Sequence, residues 1–382
     1  MKFKLLIILS ICLISCNYSD PKFEKKSSKV TGIDFQNTLK YTEDFNPYTY
    51  RNFFNGGGVA LGDINNDGLI DIYLTGNIVD NALYLNKGNW QFENIAAEAG
   101  VLCSDNWSTG ATFVDINNDG FLDLYVTKSG KPGGNNRHNE LFINQGDLTF
   151  IESSNEYGLD IEGLSVHAAF FDYDGDLDLD AYVLNNSIRS VGTYDLIKGQ
   201  REIPSNDGNQ LLQNTNNKFM NVSSNEGIYS SNIGFGLGIT ISDFNGDLWP
   251  DLFISNDFFE KDYLYLNKQG NGFSEESSNY FDALSMGSMG ADAADMDNDL
   301  IPDLIVTEML PESLNRQKNK QVYESYDKFV LAGNKGYHKQ YPRNAFQRNL
   351  GNTFYEVSRQ LGLSATEWSW AALLFDMDND GF

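Results

Sequence analysis

Six stretches decide the reading of this chain: Asp63-Ile-Asn65-Asn-Asp67-Gly-Leu-Ile-Asp71, Asp115-Ile-Asn117-Asn-Asp119-Gly-Phe-Leu-Asp123, Asp172-Tyr-Asp174-Gly-Asp176-Leu-Asp-Leu-Asp180, Asp243-Phe-Asn245-Gly-Asp247-Leu-Trp-Pro-Asp251, Asp295-Met-Asp297-Asn-Asp299-Leu-Ile-Pro-Asp303 and Asp376-Met-Asp378-Asn-Asp380-Gly-Phe382. Short apolar runs flank them. Upstream stand Gly58–Leu61, Ala111–Val114, Ala168–Phe171, Gly238–Ile241 and Ala371–Leu374; downstream stand Ile72–Leu74, Leu124–Val126, Tyr182–Leu184, Leu252–Ile254 and Leu304–Val306. Each acidic loop therefore joins two strands. A second element recurs between loops: Leu83–Asn86, Leu141–Asn144, Leu211–Asn214, Leu264–Asn267 and Phe346–Asn349, each followed by a turn and an aromatic residue, the pattern of a β-hairpin. Four short strands per repeat, 52 to 81 residues from one loop to the next, predict an all-β propeller of four-stranded blades. Gly and Ala in the upstream strands suit strands crowded around a central axis.

Carboxylates at positions 1, 3, 5 and 9, with Asn admitted at 3, repel one another unless a cation sits among them. All-oxygen donors without Cys or His select a hard cation, and Ca²⁺ accepts six to eight oxygens where Mg²⁺ demands six in a rigid octahedron. The expected ligands are the side chains at 1, 3 and 5, the carbonyl at 7 and the closing Asp at 9, about one Ca²⁺ per loop. An EF-hand would need an acidic residue at position 12. That position is Leu74, Val126, Val183, Ile254 and Val306, so the EF-hand reading fails. Position 6 is Gly68, Gly120 and Gly381 in three loops but Leu177, Leu248 and Leu300 in the others. The Leu loops are expected to turn differently, at Gly175, Gly246 and Asn298.

The charge balance points the same way. Among 382 residues, 27 Lys and Arg face 53 Asp and Glu, a net charge of −26, and no basic face exists for nucleic acid. With 41% hydrophobic residues the chain nonetheless buries a core, so it is globular. Its start, MKFKLLIILSICLISC, has a Lys-bearing head and a short apolar run ending at Leu13-Ile14-Ser15-Cys16, the pattern of a secretion signal. The run is too short for a bilayer, which needs about 20 residues. Residues 17–45 read as a polar tether and 46–382 as the repeats. Of three cysteines, Cys12 and Cys16 belong to the signal, which leaves Cys103 without an intramolecular disulfide partner.

Two resemblances sharpen these expectations. The Leu-x-Ser-Cys ending resembles the bacterial lipobox, which implies a lipid anchor on Cys16 and a place in the cell envelope, at the outer membrane or cell surface. The Asp loops, with Phe235-Gly236 ahead of Asp243, resemble the FG-GAP or VCBS repeats of integrin-alpha-like β-propellers over residues 46 to 382. Asn55–Gly62, Ser255–Phe259 and Trp368-Ser-Trp370 are similar to bacterial surface lipoproteins related to cartilage acidic protein, which often carry a C-terminal ASPIC/UnbV region. That family usually closes seven blades. The resemblance therefore implies an incomplete ring here, with calcium in the inter-strand loops.

Catalytic signatures are absent from the sequence. His138, His167 and His338 stand in unrelated repeats without a nucleophile motif, and Gly234-Phe-Gly236-Leu-Gly238 leads into a strand and lacks dinucleotide-loop spacing. His167, just ahead of a first strand, is expected to be structural or to face the channel. Tyr50, Phe53, Trp107, Trp368 and Trp370 could stack on sugars, with packing between blades as the simpler expectation. Three functions stay open: a calcium-binding, membrane-anchored propeller that binds an extracellular protein or glycan in adhesion; a polysaccharide lyase or hydrolase with its site in the insertions Asn186–Asn209 or Leu310–Arg343; and a structural module serving a C-terminal region.

Overall fold

A computed structural model describes residues 23–130, 134, 136–186, 200–257, 260–320 and 326–378. The segment read as a secretion signal, Cys16 and Asp380 lie outside the described residues, as do parts of both insertions.

Among the described residues, five four-stranded antiparallel sheets follow one another along the chain, each with its strands in sequence order. Blade one is Val59–Gly62, Asp71–Leu74, Ala82–Asn86 and Phe92–Asn94. Blade two is Ser108–Val114, Asp123–Lys128, Glu140–Asn144 and Phe150–Glu152. Blade three is Ser165–Phe171, Asp180–Asn185, Gln210–Asn214 and Phe219–Asn221. Blade four is Gly236–Ser242, Asp251–Asn256, Tyr263–Asn267 and Phe273–Glu275, and blade five is Gly290–Ala294, Asp303–Thr307, Ala345–Asn349 and Phe354–Glu356. Each of the first five acidic loops joins the first and second strands of its blade, as the sequence predicts.

First strands of successive blades lie side by side around the axis. Thr112 Oγ1 donates to the Ala168 carbonyl and Thr240 Oγ1 to that of Ala291, both at 2.9 Å, so small and polar residues bring these backbones together. Second strands are buried on both faces by their neighbours, and in blades two to four every residue of them is buried. That double burial explains their near-continuous apolar run. The core is accordingly divided between blade pairs: Tyr73, Leu83, Leu124 and Val126 fill the first gap, Tyr125, Ala181 and Leu212 the second, Tyr182, Ile254 and Tyr265 the third, Phe253, Leu304 and Phe354 the fourth.

Three local features depart from the sequence reading. Fourth strands run into single helical turns, Ala96–Ala99, Ser154–Tyr157, Ser277–Tyr280 and Ser358–Leu361, each burying its first residue. The segment read as a tether is docked from Thr31 onward: the amides of Asp34 and Phe35 donate to Tyr84 Oη, and Asn37 pairs with Asn77. Ala371–Leu374 forms no strand ladder, because no described residue supplies the second strand. It still lies beside blade five, where the Leu374 amide donates to Asp292 Oδ2 at 2.7 Å.

The aromatic residues divide. Tyr50, Phe53 and Trp107 pack with Leu164 into one buried cluster, as expected of core residues. Trp368 and Trp370 are exposed instead, at 66% and 42%. In the insertions, Arg201 makes a buried ion pair with Glu260 (Nε to Oε1, 2.5 Å), and the second insertion carries the helices Leu314–Lys320 and Tyr326–Asn334.

Candidate metal centres

Each loop wraps its backbone around its own carboxylates. In loop one the amides of Asp67 and Gly68 donate to the two oxygens of Asp63 (3.1 and 2.7 Å), and the Leu69 amide donates to Asp67 Oδ1. Loop two repeats this with Asp115 and Asp119, and loop four with Asp243 and Asp247. Asn65, Asn117 and Asn245 present their side-chain carbonyls inward to the amide at position 5. In the sixth loop the Asp378 amide donates to Asp376 Oδ1 at 3.2 Å.

Among the described residues, two loops bring three carboxylates within 4.8 Å of one another: Asp172, Asp174 and Asp176, and Asp295, Asp297 and Asp299. These are the two complete loops with Asp at position 3. Third-strand side chains reach both: Gln213 Nε2 donates to Asp174 at 2.7 Å, and Arg348 pairs with Asp297.

Position 9 is held differently. Asp71, Asp123, Asp180, Asp251 and Asp303 open the second strands and are almost completely buried. In loops one to four one oxygen accepts the amide of position 2 (Ile64, Ile116, Tyr173, Phe244). In all five loops the other accepts the amide of a third-strand Asn: Asn86, Asn144, Asn214, Asn267 or Asn349, each at 2.7 or 2.8 Å. Burial pushes Asp123 up to about 6 and Asp180 and Asp251 up to about 7, with the other loop carboxylates adding to the effect and the two amides opposing it. Each oxygen keeps a lone pair beyond its amide bond, so the carboxylate closes the loop and can also face a cation.

These third-strand Asn residues are the part of the site that the hairpin reading missed. Asn144 Nδ2 donates to the carbonyls of Leu122 in its own blade and Ile64 in the blade before. Asn267 bridges Pro250 and Tyr173 in the same way, and Asn349 bridges Pro302 and Phe244. One amide thus ties two adjacent loops. The signal was present, since the Asn ends every copy of the hairpin strand.

The expectation for position 6 is corrected. Leu177, Leu248 and Leu300 take φ of 75°, 72° and 71°, the left-handed turn that Gly68 and Gly120 make at 85° and 89°, and position 4 is left-handed in all five loops. The loops share one conformation because the position 6 amide must reach Asp Oδ2 at position 1, as Leu177, Leu248 and Leu300 do at 2.8 to 3.0 Å. The Leu side chains gain no burial in return, being about 90% exposed.

The FG-GAP-like repeat family matches residues 63–126 and 243–306, two stretches that each start at a loop's first Asp, so the chain carries FG-GAP-like repeats there. Individual relatives point to one group. The chain is 28% identical to cartilage acidic protein 1 of Xenopus tropicalis over 238 residues, covering 61% of this chain and 33% of that protein. It is 28% identical to the Mus musculus protein over 223 residues (57% and 31%) and 27% identical to the Homo sapiens protein over 202 residues (53% and 28%). The matched region spans about a third of the length of these relatives. Among solved structures, the V. cholerae biofilm matrix protein Bap1 is similar with a TM-score of 0.37 and 12% identity, covering 78% of this chain and 38% of that one. A GH43_1 enzyme from Xanthomonas citri complexed with xylose is similar with a TM-score of 0.31 and 9% identity, covering 65% and 80%. Both likenesses are distant and carry no functional argument.

Proposed function

We propose that this chain is a calcium-binding, membrane-anchored, extracytoplasmic propeller that binds an extracellular protein or glycan. The observation that carries the calcium assignment is the pair of triads in which carboxylate oxygens lie within 4.8 Å, a separation at which each ionised pair repels by about 1 kcal/mol in water and about 3.5 kcal/mol at an effective dielectric near 20. A divalent cation turns that repulsion into attraction. The donor set fits calcium: oxygen atoms only, with their backbone-facing lone pairs already engaged and the others free to converge. The first, third and fifth side chains would hold the ion, with the ninth closing the shell. Attachment to the membrane is assigned to a lipid on Cys16, supported by the Leu13–Cys16 signature. Among the described residues no helix is long and apolar enough to cross a membrane. The absence of a catalytic motif favours binding over chemistry.

A thermal melt of the protein in calcium, in magnesium and in excess chelator tests the metal assignment. Each site at 100-fold over its Kd stabilises the fold by about 2.7 kcal/mol. A large drop in chelator, reversed by calcium and not by magnesium, is expected; an unchanged melt refutes the assignment. For the anchor, Cys16→Ser is expected to move the protein from the membrane to the soluble fraction.

A further inference from the structure

We infer that the axial cavity bounded by the starts of the first strands of blades one to four is a binding site for a single uncharged sugar ring. This gives a location to the glycan half of the binding role proposed above and rests on that role, but not on the metal loops.

The cavity measures about 180 Å³, which is room for one small ring and not for an oligosaccharide. Its walls come from residues between Tyr50 and Gly58, which precede blade one, from the upstream ends of the first strands, and from Trp107. Those ends are irregular where the cavity needs them. The first strands of blades two, three and four each break register once, between Ser108 and Ala111, opposite Leu184 and Asn185, and between Gly236 and Gly238. The residues left out of the ladder there, Thr109, Gly110, Val166 and Leu237, all line the cavity. A bulge re-aims residues away from the regular sheet, and three at equivalent points around one axis make a built wall.

The chemistry of that wall selects the ligand. Among the described residues that line it none is charged, in a chain whose net charge is −26. The polar ones are Tyr, Asn, Thr, Ser and His, every one able both to donate and to accept. Such a set suits hydroxyl groups, which do the same, and offers no compensating charge to a phosphate or an ammonium. His167 lies in the wall, where burial lowers its affinity for a proton and favours the neutral ring. Asn186 supplies the independent observation. It is 1% exposed, lies in the wall, and neither its amide nitrogen nor its amide oxygen has a hydrogen-bond partner. A buried amide left unsatisfied at both ends is costly. What satisfies it is a donor and an acceptor side by side, as on adjacent hydroxyls of a sugar ring. The fold does not need the amide, because the Asn186 backbone amide is already bonded to the Leu164 carbonyl.

The test is saturation-transfer NMR on the full chain in detergent with calcium. The probes are glucose, galactose, mannose, xylose and N-acetylglucosamine, with glucuronate as the charged control. At least one neutral sugar is expected to give transfer, and glucuronate none. Asn186→Leu, close in volume, is expected to weaken that signal at least tenfold while its melting temperature equals or exceeds that of the parent. Silence from every neutral sugar overturns the inference, and so does a fall in the Asn186→Leu melting temperature, which would mark the amide as structural. Equal binding by parent and variant overturns the cavity as the site and leaves the glycan role standing. A protein that binds larger glycans on an array but none of the single sugars keeps the role and loses the inference.

Discussion

The Asn that ties adjacent loops yields a prediction with its own internal control. Asn267→Ala removes a side chain that is 4% exposed. It leaves the Tyr173 carbonyl without the 2.8 Å donor that crosses between blades, and the Pro250 carbonyl without one at 3.2 Å. It also frees the Gly270 amide, bonded to Asn267 Oδ1 at 2.9 Å. A buried carbonyl left unpaired costs about 1–3 kcal/mol, and a part-exposed bond adds about 0.5–1 kcal/mol. The expected loss is therefore roughly 2–4 kcal/mol. Asn86 occupies the same place in blade one, but its side-chain nitrogen bonds only the exposed Ile70 carbonyl of its own blade. Asn86→Ala also frees the Gly88 amide, bonded to Asn86 Oδ1 at 2.9 Å, so two local bonds and no bond between blades are lost, an expected cost of about 1–2 kcal/mol. Urea unfolding followed by tryptophan fluorescence, in calcium, reads both midpoints. If the two variants lose the same stability, or Asn267→Ala loses less than about 0.5 kcal/mol, then the bridge between blades contributes nothing and the reasoning fails.

Two further outcomes follow from the same geometry. Leu177→Gly, Leu248→Gly and Leu300→Gly relieve a left-handed backbone strain of about 1–2 kcal/mol each against a glycine entropy cost of about 0.5–1 kcal/mol, and forfeit no packing. The triple variant should gain roughly 1–3 kcal/mol in denaturant unfolding; a loss would mean that the Leu side chains have partners in the folded protein. Asp262 fills the place held by Asn81, Asn139, Asn209 and Asn344 in the other blades, where an oxygen of each side chain accepts a second-strand or following amide. Burial pushes its carboxyl up to about 7, Asp257 adds to this, and the Asn256 amide, Ser288 and Lys261 oppose it. Its folded pKa is above the ordinary 3.8, so the folded state holds the proton more tightly. Its contribution is complete below pH 4 and is lost as pH rises toward 7, on the order of 1.4 kcal/mol per unit. Asp262→Asn should flatten that slope between pH 4 and 7 and leave a variant more stable than the parent at pH 8, read by denaturant midpoints across pH. An unchanged slope would show that another group carries it.

The sequence by itself determined the repeat, the four strands of each blade and the loop that joins the first two. Aspartates at 1, 3, 5 and 9 and apolar runs beside them are local patterns, and local patterns survive in one dimension. What spacing could not contain was the relation between blades. Asn267 meets Tyr173 across 94 residues and Asn349 meets Phe244 across 105, so the role of the strand-ending Asn is invisible until the blades stand side by side. The same holds for position 6. Read alone, Leu there forbids a left-handed turn, but an amide that must reach the first Asp enforces one, and the strain is borne by the rest of the loop's bonds. Docking of residues 31–37 on blade one was equally hidden, since a polar segment becomes a partner only once Tyr84 offers its hydroxyl. The axial cavity is the clearest case: Asn52, Thr109, His167 and Asn186 come from the segment before blade one and from two blades, and share a wall only because their strands meet at one axis.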